Sequence, residues 1–157
     1  MTGHRDSHRP AIGLETARQV LAAQPFSGLL GARLATFSPG LAVLEVPVRR
    51  ELTQQNGFLH GGVLAYAADN AITFAGGSVL GPRVLTGGIT ITYLRPAAGE
   101  LLEARATVVD AGRRQAVCRC ELVVHHGDRS VLCAAAQGTV VLVGASGEDS
   151  EAGRSTG

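Results

Sequence analysis

The chain has 157 residues, enough for one domain with a substantial core, and carries a net charge of +1 with only 17% charged residues. That balance gives no electrostatic case for nucleic acid or a membrane surface, and 4% aromatics without tryptophan argue against stacking platforms for bases or sugars. Hydrophobic residues at 45% imply that part of the surface lies against another protein, most simply a second copy of the chain. All fourteen basic residues are arginine, which reads as a composition bias rather than a function.

In chain order, residues 1–11 read as a disordered polar tail, with no apolar stretch behind them that would make a secretory signal. Leu14, Ala17, Val20 and Leu21 recur at helical spacing, which predicts one helix ending near Pro25. Leu29 to Phe37 and Leu41 to Val48 are β-rich, and Ser38-Pro39-Gly40 between them reads as a hairpin turn. Residues 61–75 are apolar almost all round, which predicts a buried helix with Gly76-Gly77 as its stop. Four strand-like runs follow, at about 84–95, 101–110, 115–125 and 130–143, with turns at Gly112-Arg113 and Gly127-Asp128. Alternation is visible at Ile89, Ile91 and Tyr93, and again at Ala116, Cys118, Cys120, Leu122 and Val124. The small polar residues from Gly144 onward read as a second disordered tail, leaving 12–143 as a single domain.

This order predicts an α+β fold, one long central helix wrapped by a mainly antiparallel sheet of about six strands. No run approaches the ~20 apolar residues of a membrane span, and a cytoplasmic protein is expected. Cys118, Cys120 and Cys133 are an odd set in apolar strands, expected to be buried thiols in a reducing compartment. A Cys-x-Cys metal site is the sharper reading, but His125 and His126 complete no metal-ligand spacing with them.

The stretch QQNGFLHGGVLAYAADNAIT, residues 54–73, carries the chemistry. His60-Gly61-Gly62 opens the central helix without Ser, Thr, Asp or Asn to cap it, so its first amides are expected to be free for a ligand at the positive end of the helix dipole. Two turns on stands Asp69, an acid among apolar residues, which is costly to desolvate without a task. Tyr66, Asp69, Asn70 and Thr73 follow the i, i+3, i+4, i+7 spacing, a narrow polar stripe expected to line a cleft or interface. Gly61 and Asp69 are eight residues apart, about 12 Å along a helix. A reacting carbonyl must lie about 3 Å from both its attacking group and its oxyanion donor. One helix cannot supply both, but two antiparallel copies about a two-fold axis can, so a catalytic site here is expected to be shared between chains.

Motif and element order together resemble the hotdog-fold acyl-CoA thioesterases, closest to the phenylacetate-degradation type and related to the 4-hydroxybenzoyl-CoA and human acyl-CoA types. The likeness covers roughly residues 25–143 and includes ITYLRPAAGELLEARATVVDAGRR, which looks like the family's first long strand, turn and second strand. It implies that Asp69 attacks the thioester or activates water, that the Gly61 N–H polarises the thioester oxygen, and that His60 supports the site near the leaving thiol. Gln54 matches an amide residue that several members carry, in preference to Asn56. Thr73 matches a hydroxyl that helps hold the water, and Thr86 falls where the human-type enzymes carry a serine. Gly62 and Asn70 are expected near the substrate, and Arg83, Arg95, Arg113 and Arg114 are candidate contacts for the phosphates of coenzyme A. The resemblance further implies an enzyme with no cofactor or metal, coenzyme A being part of the substrate. The minimal active unit would be a homodimer, assembled into a homotetramer. Two rival readings are a hotdog hydratase or dehydratase and a non-catalytic domain that senses or binds acyl-CoA.

Overall fold

The computed structural model describes residues 12–144, so the expected tails lie outside the described residues apart from Gly144. Helix α1 (Leu14–Ala22) buries Ala17 and Leu21, one turn apart on a single face. Pro25 does not merely end it. It opens a second helix, α2 (Pro25–Leu30), at a first-turn position where its missing N–H loses nothing. Gly31, at φ +71°, closes α2 in the left-handed region. The strand expected from Leu29 therefore starts later, as β1 (Arg33–Ser38), and forms a hairpin with β2 (Leu41–Pro47).

The strands β3 (Val84–Tyr93), β4 (Leu101–Ala111), β5 (Gln115–His126) and β6 (Arg129–Leu142) lie where the sequence places them. All six strands form one sheet in the order β1-β2-β4-β5-β6-β3, antiparallel at every pairing. β3 follows the central helix in the chain but crosses the sheet to pair with β6, so it forms an edge. The inward residues of β5 are the predicted set, Ala116, Cys118, Cys120, Leu122 and Val124, all buried.

Helix α3 (Gly61–Leu80) lies in the hollow of this sheet and touches every strand. Its buried face, Val63, Leu64, Ala67, Ala68, Ala71, Ile72, Ala75 and Gly76, is mostly small, which lets the helix axis settle close to the strands. The helix does not stop at Gly76-Gly77, as the sequence suggested, but runs on to Leu80. Gly76 is a packing glycine: a Cβ there would fall 2.6 Å from the Cβ of Val140 on β6. The stop is Gly81 at φ +106°, whose N–H returns to the Gly77 carbonyl, with Pro82 behind it. At 20 residues α3 is also long and apolar enough, by length and composition, to cross a membrane, contrary to the sequence expectation. Here it is the core helix of a sheet, and its apolar face is spent on β2, β4, β5 and β6.

The three cysteines are buried and unpaired. Burial pushes the Cys118 thiol up to about 11 and the Cys120 thiol up to about 12, and raises that of Cys133. Because the folded values are raised, this contribution to stability is full below the ordinary thiol value of 9.0 and is lost as pH rises above it. The native protein should therefore react with a thiol reagent such as Ellman's at pH 8 at well under one equivalent per chain, and with all three after denaturation. Rapid modification of the native chain would contradict this burial. Among the described residues no group of three or more His, Cys, Asp or Glu could hold a metal ion, and His125 and His126 sit at the end of β5, paired with Ser130 and Arg129.

Candidate active site

The N-terminus of α3 is not uncapped, as expected, because the cap is a histidine. His60 Nδ1 accepts the Gly62 N–H at 2.8 Å, and the His60 carbonyl accepts the Val63 N–H at 2.9 Å. Gly62 is thus occupied within its own chain and is not a free donor for substrate. The Gly61 N–H, at the first helical position, has no acceptor among the described residues. An Nδ1 that accepts leaves the ring proton on Nε2, so exposed His60 offers an outward N–H donor. Gln54 sits beside this end: its Oε1 accepts the Asn56 N–H inside the turn 54–58, where Gly57 takes φ +83°. That leaves the Gln54 amide NH2 as donor. Gln54, Phe58, Gly61, Leu64, Tyr93 and Arg95 line one cleft. Tyr93, which the sequence marked only as a strand residue, donates its hydroxyl to the Gly61 carbonyl at 2.8 Å and ties β3 to the helix tip.

The polar stripe on α3 parts along its midline. On one side Tyr66 and Asn70 turn towards α2. Tyr66 donates to Ser27 Oγ at 2.6 Å, and Asn70 Nδ2 reaches Gln24 Oε1 and the Tyr66 hydroxyl, each at 3.0 Å. Ser27 is only 1% exposed and its hydroxyl also donates to Gln24. These four side chains satisfy one another and dock α2 on α3, and Asn70 and Gln24 also border the cavity that Thr73 lines. Neither Gln24 nor Ser27 carried a sequence signal, because their partners lie about forty residues away.

On the other side Asp69 and Thr73 meet Thr86 of β3. The Thr86 hydroxyl lies 2.5 Å from Asp69 Oδ1, and the Thr73 hydroxyl lies 2.5 Å from Thr86 Oγ1 and 2.8 Å from the Asp69 carbonyl. Two hydroxyls have two protons for these three contacts. Thr86 gives its proton to the carboxylate, and Thr73 divides its own between Thr86 and the main chain. Asp69 Oδ2 accepts no hydrogen bond and the carboxylate has no ion-pair partner among the described residues. The acid is half-buried, aimed by a hydroxyl, and has one oxygen left for other work.

Thr86 faces Asp69 because of a β-bulge. The register of β3 on β6 slips between Thr86 and Gly88, leaving Gly87 as an extra residue. Were Gly87 instead paired in unbroken register, the alternation that turns Ile89 and Ile91 inwards would turn Thr86 outwards. The candidate arginines are divided as well. Arg95 lines the Gly61 cleft. Arg83 and Arg114 flank the end of β6, where their carbonyls accept the N–H groups of Val143 and Leu142, and Arg113 lies next to Arg114 on the exposed β4–β5 turn.

Comparison with known proteins decides the class. Residues 56–131 match the model of the thioesterase superfamily. A protein of Archaeoglobus fulgidus, whose name gives it provisionally as an esterase, is 34% identical over 116 residues, 73% of each chain. The chain belongs to the thioesterase superfamily. Among solved structures, a thioesterase family protein from Silicibacter pomeroyi superposes with a TM-score of 0.78 at 34% identity, covering 83% of this chain and 98% of the other. A Haemophilus influenzae thioesterase gives 0.73 at 26% identity, covering 83% of this chain and 90% of its own. The E. coli PaaI protein of the phenylacetic acid degradation operon gives 0.73 at 26%, covering 83% and 92%. This thioesterase therefore has the hotdog fold of PaaI-like proteins and is a thioester hydrolase. The sensor and hydratase readings fall away.

Proposed function

We propose that this thioesterase hydrolyses acyl- or aryl-CoA thioesters to the free acid and coenzyme A, with Asp69 of one protomer and the Gly61 N–H of the other acting on one thioester. The observation that carries the reading is the separation of two prepared groups on one helix. An unpaired amide sits at the tip of α3 and a hydroxyl-aimed carboxylate stands eight residues on, about 12 Å away. They adjoin different hollows of the chain. Gly61 lines the cleft with Gln54 and Arg95, whereas Thr73, hydrogen-bonded to the Asp69 carbonyl, lines a cavity with Phe74 and Val84. A second copy in antiparallel arrangement brings the two halves together, which makes the homodimer the minimal active unit and a homotetramer its natural extension.

The chemistry suits the groups. A thioester carbonyl has weak resonance stabilisation and thiolate is a good leaving group. Asp69 attacks that carbonyl, or takes a proton from a water that does, while Thr86 and Thr73 hold the carboxylate and the water. The Gly61 N–H, with the Gln54 amide beside it, meets the negative charge that grows on the thioester oxygen. The His60 Nε2–H supports the departing thiolate, and Arg95 or Arg83 meets the phosphates of the coenzyme. No cofactor or metal has a part in this scheme. Three unpaired thiols suit a cytoplasmic enzyme.

The test is release of coenzyme A thiol, followed with a chromogenic disulfide, from a panel of acyl- and aryl-CoA substrates. Steady turnover is the expected result. Binding without thiol release across the panel would overturn it.

A further inference from the structure

We propose that Val20 of α1 and Gly77 of α3 set the size of the acyl group, closing an acyl pocket that takes a compact, ring-sized group and refuses long straight chains. This rests on the thioesterase reading of Asp69 above. The seam where the polar stripe parts opens into a cavity of about 170 Å³ between α1, β1 and the C-terminal half of α3. Its main walls are Val20, Phe37, Thr73, Phe74, Gly77 and Val84, with the Gln24 and Asn70 amides at the α2 side. Four of these six bring only hydrocarbon, and Phe37 and Phe74 meet edge-to-face with centroids 6.1 Å apart. Thr73 is the link to the chemistry, since its hydroxyl contacts Thr86 Oγ1, which in turn holds the Asp69 carboxylate. A thioester carbon placed at Asp69 would therefore have its acyl substituent directed past Thr73 into hydrocarbon walls.

Size then decides what fits. An apolar cavity of about 150 Å³ holds one benzene molecule, so about 170 Å³ admits a ring or a short branched chain and little more. Two residues form the far walls. Val20 projects from α1 and remains about half exposed, so its size can change without disturbing the core. Gly77 lets α3 and β3 meet at the pocket wall: a Cβ there would crowd Val84 Cγ2 at 3.2 Å and push that side chain against the cavity. Each methylene too many or too few in a hydrophobic pocket is worth roughly 10- to 200-fold in discrimination.

The experiment compares kcat/KM for benzoyl-, phenylacetyl-, hexanoyl-, dodecanoyl-, palmitoyl- and acetyl-CoA in the native enzyme and two variants. The native enzyme should prefer the ring-bearing substrates over palmitoyl-CoA by about 100-fold or more. Gly77→Ala should lower benzoyl- and phenylacetyl-CoA turnover about 10-fold relative to acetyl-CoA. Its melting temperature should shift little, the better helix residue offsetting the crowding against Val84. Val20→Ala should shift preference the other way, raising dodecanoyl- relative to phenylacetyl-CoA. Equal or better hydrolysis of palmitoyl-CoA by the native enzyme would overturn the size limit while leaving the thioesterase reading intact. A Gly77→Ala enzyme with an unchanged substrate profile would remove this cavity as the acyl site. No thiol release from any substrate would overturn both readings.

Discussion

Asp69→Asn should abolish turnover, with kcat falling by about a thousandfold or more, some 4 kcal/mol in barrier. Asparagine keeps the shape of the side chain, and its oxygen can still accept from the Thr86 hydroxyl, so the Asp69–Thr86–Thr73 chain survives. What is lost is the second carboxylate oxygen, as nucleophile or base. The melting temperature and affinity for coenzyme A should therefore stay near those of the native enzyme. Thiol-release kinetics, a thermal melt and coenzyme A titration measure the three together. A variant that retained most of its activity would remove Asp69 from its role.

The second large effect concerns the amide. Gly61→Pro removes the one N–H that the mechanism needs, at a helix position where proline is well tolerated. The preceding residue, His60, already has the extended backbone that proline demands, at φ −61° and ψ 136°. A Cβ at Gly61 would lie 3.1 Å from the Tyr93 hydroxyl, so Gly61→Ala, which has the same crowding but keeps the N–H, is the matched control. The proline variant should be about 10²- to 10³-fold slower than the alanine variant, the loss expected for one oxyanion donor. Mixing then tests the shared site. Chains carrying only Asp69→Asn and chains carrying only Gly61→Pro are each dead as homodimers. A hybrid dimer, however, pairs the intact Gly61 of one with the intact Asp69 of the other at one of its two sites. Half the dimers in an equal mixture are hybrids, so about a quarter of native activity should return after subunit exchange. If activity stays at the level of the separate variants, the two groups do not work across chains.

Much of this was legible in the residues, for physical reasons. The four long strands follow from alternation and from turn residues at Gly112 and Gly127, which are local properties. Asp69 stood out because an acid in an apolar helix is costly, and Gly61 because a helix must begin with unpaired amides. What local reasoning missed was set by distant partners. Gly76-Gly77 read as a stop because nothing nearby revealed that Val140 would press against Gly76. His60 was not counted as a cap because histidine caps a helix only when its ring folds back on the chain, as it does onto Gly62. Asn70 and Asp69 are adjacent on the helix surface, and no local signal told that Asn70 would bond to α2 and Asp69 to β3. Thr86 was found through resemblance alone, since strand parity would have turned it to the outside.

The extra residue at Gly87 has an energetic side. An uninterrupted β3 would turn Leu85 towards the central helix, where burying a leucine is worth about 1.5–3 kcal/mol. Instead Leu85 is 61% exposed and a threonine occupies the inward slot. The edge strand forgoes hydrophobic stabilisation so that a hydroxyl can reach an acid. A chain with the same residues but no slip in this pairing would be sturdier and idle.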